Sequence, residues 1–501
     1  MTKKILLTAL MAVSFIAGCK DKTSETSASV NPGESGSQQV SGSGAVGPER
    51  EEIKDPWWKT TGSIQKDAEG NVQFNGTTLK LTSVVAGEDQ SAFEELVATF
   101  NASYSGKINV EFTSVNQAEF EKTVSTQIAN NMNAPDLIMS HQKGHKSFVQ
   151  NKLIRPYDEA FEKTGITIDV KRDFVNGLAK YCDLGYKGYT FDVPADMQSV
   201  VIYYNKKLLA KYGGNLPTNR TEFLDLCSRF KAGEGSLPVV WDPGEVFFPN
   251  YIVMTALAQN GVQFYGEDDY AHWTEPANLQ AMKNGFSAVR DIYNLGYSSI
   301  TMAASTAKDN FINDKALFYF YMPWNATSLA QSFSATHGGL PISTIESDYI
   351  GGFSMAGLFA KDEGALESQA IFGDSHFFGL TTTCEDITKQ AAALTFLKWF
   401  TENGEAGATW AEAGHASAST IITNSNEYVE NTFVGNFISA FYPDANSFVT
   451  AGNNEFYEEI FVNGLFNIWA SVKSNADDSN DEAVITAREK AVNEVIEFLK
   501  D

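Results

Sequence analysis

Hydrophobic positions along residues 79–139 switch between two periods. Leu79, Leu81, Ser83 and Val85 alternate with Lys80, Thr82 and Val84, which predicts a strand entering a core. After Gly87 the spacing changes. Phe93, Leu96, Val97 and Phe100 recur at i, i+3, i+4 and i+7, one face of a helix. Ile108, Val110 and Phe112 alternate again. Asn116 with Glu119 has the form of a capping box, and Phe120, Val124, Ile128 and Met132 follow at four-residue intervals. Pro135 to Met139 then reads as a short buried strand. Strand, helix, strand, helix, strand predicts a parallel sheet with right-handed crossovers, whose ligands sit beyond the carboxyl ends of the strands. That rule singles out Gly87–Gln90 and Ser140–Gln142. Further on, Phe223, Leu226, Cys227 and Phe230 predict an amphipathic helix, as do Ala392, Ala393, Phe396, Leu397 and Phe400. A polar, acidic loop at 475–482 precedes a closing helix with Val484, Ala487, Ala491, Val492, Val495, Ile496 and Leu499 on its inner face. No internal repeat interrupts this order.

The N-terminus has a different pattern. Lys3 and Lys4 precede an uncharged apolar run from Ile5 to Ile16, and Ala17-Gly18-Cys19 closes it. A positive head, a short apolar run and a small-residue end predict an export signal. The cysteine at the cut resembles a bacterial lipoprotein signal, which implies removal of residues 1–18, acylation of Cys19 and a lipid anchor facing the periplasm or cell exterior. Residues 20–47 are rich in Ser, Gly, Thr, Glu and Gln with few large apolar residues, the composition of a flexible linker. The expected linker and transition region spans residues 19–76.

Composition narrows the choices. The chain is 43% hydrophobic and 12% aromatic, enough for two or three globular units over the roughly 450 remaining residues. The formal charge of −25 disfavours nucleic acid as a partner. Cys182, Cys227 and Cys384 are too few and too far apart for a zinc or redox motif. A Cys182–Cys227 disulfide and three buried thiols both remain open. His141 and His145 have the spacing of helical metal ligands, but no acid lies between them, and no metal or cofactor is expected. Gly352-Phe353-Ser354-Met355-Ala356 approaches a hydrolase elbow, with Asp374 and His376 following in order. This keeps an exported serine hydrolase as a rival reading.

The order of motifs resembles the family 1 extracellular solute-binding proteins, the sugar-binding components of ABC importers. Ala134-Pro135-Asp136-Leu137-Ile138, Leu153-Ile154-Arg155-Pro156-Tyr157, Tyr186-Lys187-Gly188-Tyr189 before Val193-Pro194, and Tyr203-Tyr204-Asn205-Lys206 carry the resemblance. So do the apolar stretch Ala316 to Trp324 and the segment Gly373 to Leu380 before Trp410. One departure stands out. Where the family has Thr and Trp at a helix start, this chain has Asn219 and Arg220. The resemblance implies a two-lobe α/β periplasmic-binding-protein-like fold (type II) with a hinge that the chain crosses more than once. Residues 77–197 and 373–415 would form the first lobe, and residues 198–372 and 416–501 the second. It also implies no enzymatic activity, a small solute (a carbohydrate before a polyamine or organic anion), permease subunits as partners, and a monomer.

Candidate ligand contacts follow from that frame. Trp324, after the apolar strand, is the leading stacking ring. Gln198 lies where relatives place a polar contact. Glu88 and Asp89, and Ser140 and His141, sit past strand ends. Trp241 and Phe248 belong to an aromatic–acid cluster in the second lobe. His376 and His415 lie near expected crossings.

Overall fold

The computed structural model describes residues 50–438 and 447–500. The leader, Cys19 and most of the expected linker lie outside them. The predicted alternation is present: β1 (Thr77–Ser83), α1 (Glu88–Ser103), β2 (Ile108–Ser114), α2 (Gln117–Ala129) and β3 (Leu137–His141) follow in turn. The Asn116 side chain accepts from the Ala118 N–H and starts α2, which buries Phe120, Val124 and Ile128. β2 and β3 flank β1 and both run parallel to it.

The first lobe is not wholly parallel. β12 (His376–Thr381) returns from the second lobe and lies antiparallel to β3. It also pairs with the short β4 (Ile154–Arg155) and β5 (Asp192–Pro194), completing a sheet of order β2-β1-β3-β12-β4 with β5 off β12. Because β12 runs backwards, its first residue stands beside the last residue of β3, and His376 pairs with His141.

In the second lobe, β7 (Val201–Asn205), β8 (Val239–Val240), β9 (Phe318–Tyr321) and β10 (Ile350–Phe353) form a sheet of order β10-β7-β9-β8. Its core gathers Phe223, Trp241, Leu257, Phe286, Phe320 and the inner face of the closing helix Asp481–Lys500. Arg220, standing where relatives carry Trp, is buried and reaches Asp291 at 2.7 Å. Asn219 still caps its helix, accepting from the Glu222 N–H.

Two segments that cross between the lobes are bonded to each other. The first leaves β6 (Asp196–Met197) through Gln198, and the second leaves β11 (Ile371–Phe372) through Gly373. Gln198 N–H donates to the Asp374 carbonyl at 2.8 Å, and Asp374 N–H returns the bond at 2.9 Å. A Cβ on Gly373 would lie 2.3 Å from the Gln198 carbonyl oxygen, so this contact requires glycine. After β13 (Ala416–Ser417), which pairs with β6, the chain stays with the first core through Ala418, Ile422, Tyr428 and Val434. Phe437 then packs against Tyr203 of the second lobe, and the chain joins the second core at Ala451. The return to the second lobe therefore falls later than residue 416, because 418–434 carry apolar side chains that fill the first core.

Cys182 and Cys384 lie in the first core and Cys227 in the second, all buried thiols. The Cys182–Cys227 disulfide is not formed. Among the described residues, no helix is long and apolar enough to cross a membrane.

Candidate functional site

The carboxyl edge of the first sheet brings histidines together. His141 ends β3, His376 begins β12, and His415 immediately precedes β13. The rings of His141 and His376 lie 4.6 Å apart, and those of His376 and His415 5.6 Å apart. Carboxylates stand against each: Asp374 is 2.9 Å from His141, and Asp196 is 2.8 Å from His376 and 3.3 Å from His415. Asp89, near the start of α1, approaches the other nitrogen of His415 at 3.4 Å. The Trp410 indole N–H donates to Asp196 at 3.0 Å.

These neighbours set the charges. Burial opposes ionisation of Asp196, but His376 and His415 outweigh it and hold the carboxyl well below the usual range. For Asp374, burial is likewise outweighed by the His141 imidazole, and its pKa falls to about 2. Burial draws His415 down, yet Asp196 and Asp89 lift it to about 9. His376 is lowered by burial, against the pull of Asp196.

The second lobe contributes aromatic rings. Trp324 sits in the turn Pro323–Asn325 after β9 and lies nearly parallel to His415, with ring centres 6.2 Å apart. Trp410 stacks on His415 at 4.1 Å. Phe247 meets Trp324 edge-on at 5.7 Å. Gly414 has φ 97°, and a Cβ there would lie 2.4 Å from the Trp324 nitrogen. Glycine at 414 therefore lets the two lobes approach at this point.

Beyond His141 the lobes enclose a cavity of about 440 Å³. Its first-lobe wall includes Gln117, Glu121, Ser140, His141 and Lys143, and its second-lobe wall is Glu455, Tyr457 and Glu458. The Lys143 ammonium lies 4.7 Å from the centre of the Tyr457 ring.

The sequence-predicted residues divide into three groups. Asp89, His141, Gln198, Trp324, His376 and His415 come together around the hinge, and the Gln198 amide nitrogen lies 2.9 Å from His376 Nδ1. Glu88 is the first residue of α1. Ser140 lines the cavity, but its hydroxyl lies 2.9 Å from His145 Nε2, and His145 Nδ1 is 2.6 Å from Asp192. Trp241 and Phe248 are corrections. Both are buried in the second core, and Trp241 packs edge-on to Phe248 and Phe320 at 5.0 Å each. An indole surrounded by core rings has no face left for a ligand.

The hydrolase rival loses its constellation. Asp374 is paired with His141 and His376 with Asp196, and a turn rather than a helix follows Ser354. Lys143, Glu455, Tyr457 and Glu458 were missed. Lys143 stands between His141 and His145 with no pattern of its own to mark it. The other three come from a segment far along the chain whose apolar spacing carried no strand-end signal.

Two α/β lobes, crossing segments bonded to one another, and a ring- and acid-lined cleft between them define a hinged binding protein. The chain belongs to the bacterial extracellular solute-binding protein family, whose model matches residues 86–407. Solved structures agree on the fold. The sugar-binding protein MalE of Xanthomonas citri aligns with TM-score 0.66 at 14% identity, covering 85% of this chain and 98% of that one. The extracellular solute-binding protein of Staphylococcus aureus, solved with maltose, aligns with TM-score 0.61 at 13% identity over 85% and 99%. The GacH receptor of Streptomyces glaucescens, solved unliganded and with acarbose, aligns with TM-score 0.59 at 16% identity over 85% and 99%. A comparison with curated protein sequences finds no match.

Proposed function

We propose that this protein is an extracytoplasmic receptor that encloses a sugar or oligosaccharide by hinge closure and hands it to an ABC importer. The observation that carries this reading is Trp324, a second-lobe ring facing the histidine-lined strand ends of the first lobe. An indole face suits the apolar face of a sugar ring, while carboxylates and amides suit its hydroxyls. Asp89, Gln198 and the cavity carboxylates Glu121, Glu455 and Glu458 supply those groups. Three fold relatives named for maltose, acarbose or sugar binding support the same solute class. The leader pattern ending at Cys19 supports a lipid-anchored protein outside the membrane, and membership of the solute-binding family supports permease subunits as its partner and a monomer as its state. The lobes are divided at residues 198 and 373, and the chain crosses a third time after residue 434.

The test is intrinsic tryptophan fluorescence titrated with monosaccharides, maltose, maltotriose and acarbose, with a polyamine and an organic anion alongside. A saturable response to one sugar class is expected. Trp324→Ala should weaken that affinity about 30-fold, the ~2 kcal/mol of a truncated central ring. A folded protein that answers only the polyamine or the anion, or nothing in the panel, overturns the sugar reading.

A further inference from the structure

We propose that Asp196, His376 and His415 form a binding site for one divalent transition-metal ion of the zinc class. Each offers a ligand atom, and all three atoms lie within 4.8 Å of one another. Asp196 Oδ2 stands 2.8 Å from His376 Nδ1 and 3.3 Å from His415 Nδ1. Ligands bonded at about 2.0–2.1 Å around a tetrahedral ion are about 3.3–3.4 Å apart. Sharing one centre requires Asp196 and His376 to part by about 0.5 Å and the Gln198 amide nitrogen, 2.9 Å from the same His376 Nδ1, to yield that atom. Two imidazoles with one carboxylate are the donor chemistry that such ions prefer.

A second, independent observation is the state of His415. Its ring is buried, and neither nitrogen has a well-directed hydrogen bond. The two nitrogens face only the Asp196 and Asp89 carboxylates, at 3.3 and 3.4 Å, and an ion at Nδ1 would take the place of the proton held there. Ligation through Nδ1 would satisfy one nitrogen. It would turn the Nε2–H toward Asp89, 3.4 Å away, the carboxylate backing that metal-bound imidazoles commonly have. Trp410 already fixes the Asp196 oxygen with its indole N–H. His141, whose ring lies 4.6 Å from His376, is paired with Asp374 and stays outside the ligand set.

The location gives the ion a mechanical role. Asp196 lies in β6 just before the first crossing, His376 just after the second, and His415 beside β13, the partner of β6. One ion would pin the first-lobe ends of both hinge segments under Trp324.

The experiment uses protein without a polyhistidine tag, stripped with chelator and titrated with zinc in the absence of any sugar, so its result is independent of the solute reading. Calorimetry should show one ion per chain. Co²⁺ should give a visible ligand-field band of a site containing nitrogen. His415→Asn should abolish both signals. Asp89→Asn, which leaves all three ligands in place, should weaken zinc about 10–100-fold. His272→Ala, at a surface pair with Asp268, should change nothing. Circular dichroism checks that each variant is folded. No saturable zinc binding, or binding that survives His415→Asn in folded protein, overturns the proposal. In that case the cluster is an ion-free network of imidazoles and carboxylates.

Discussion

Trp241 and Trp324 each follow an apolar strand of the second lobe, yet one is buried in the core and the other is half-buried against His415 of the first lobe. Trp241 is enclosed by Phe248, Tyr293 and Phe320. Trp241→Ala should therefore lower unfolding stability by about 3–5 kcal/mol, read as a shift in denaturant midpoint. Where the variant remains folded, its solute affinity should match the wild type, whereas Trp324→Ala should do the reverse. A result in which Trp241→Ala weakened binding at full stability would return Trp241 to the site. The sequence did not separate the two residues. An indole one to three positions past a strand faces either side according to how the following turn is wound, and long-range packing sets that turn. The histidines were easier to read, because strand ends at a sheet's carboxyl edge were predicted and His141 lies on one. Their pairing with Asp374 and Asp196 depends on the reversed direction of β12, which local pattern does not encode.

At the scale of elements, the segment 50–60 shows how a polar approach becomes part of a lobe. The Trp57 indole N–H donates to the Ile154 carbonyl at 3.0 Å, and its ring stacks on Phe191 at 6.1 Å. Buried Arg155 reaches the Lys59 carbonyl, the Thr60 hydroxyl and Glu159. Burial alone would raise the Glu159 pKa. Hydrogen bonds from Lys163 and Thr60 and the charge of Arg155 outweigh it, and the carboxyl is held below its ordinary value of 4.5. A carboxyl lowered in the folded state adds stability above its unfolded pKa, and that stability is lost as pH falls through the folded value. Glu159→Gln should therefore reduce the melting temperature at pH 7 and flatten its decline below about pH 4.5. A melting curve against pH that is unchanged by the substitution would remove Glu159 from the account. The helix at 220–234 makes a related point. Asn219 caps it, accepting from the Glu222 N–H, while Arg220, in the place of the family's Trp, is satisfied by Asp291 from a distant helix.

Across the whole molecule, closure is limited by what the solute contributes. A micromolar ligand supplies about −8.2 kcal/mol in total, and only its preference for the closed form drives the hinge. The two bonded crossings at Gln198 and Asp374 are the elements that must bend. Gly373→Ala would push a methyl group against the Gln198 carbonyl and the Phe448 ring, 2.3 and 2.5 Å from its Cβ. Small-angle scattering should show solute-induced compaction of the wild type and less of it in this variant. Equal compaction in the two proteins would place the bending elsewhere. The segment 50–60 rests on the first lobe, so a chain held through its N-terminus would fix that lobe and leave the second to move.

Local pattern determined the strand–helix alternation of the first lobe, the cap at Asn116, the strand-end location of candidate residues such as His141 and the family to which the motifs point. These follow from side-chain period, capping chemistry and sheet geometry, all of which act over a few residues. Only the tertiary structure decided that β12 runs antiparallel, that 418–434 remain in the first core, and that Trp241 is packing. The same holds for the convergence of Asp196, His376 and His415. Each is a contact between residues far apart in sequence, set by which surfaces bury together, and no local period carries that information.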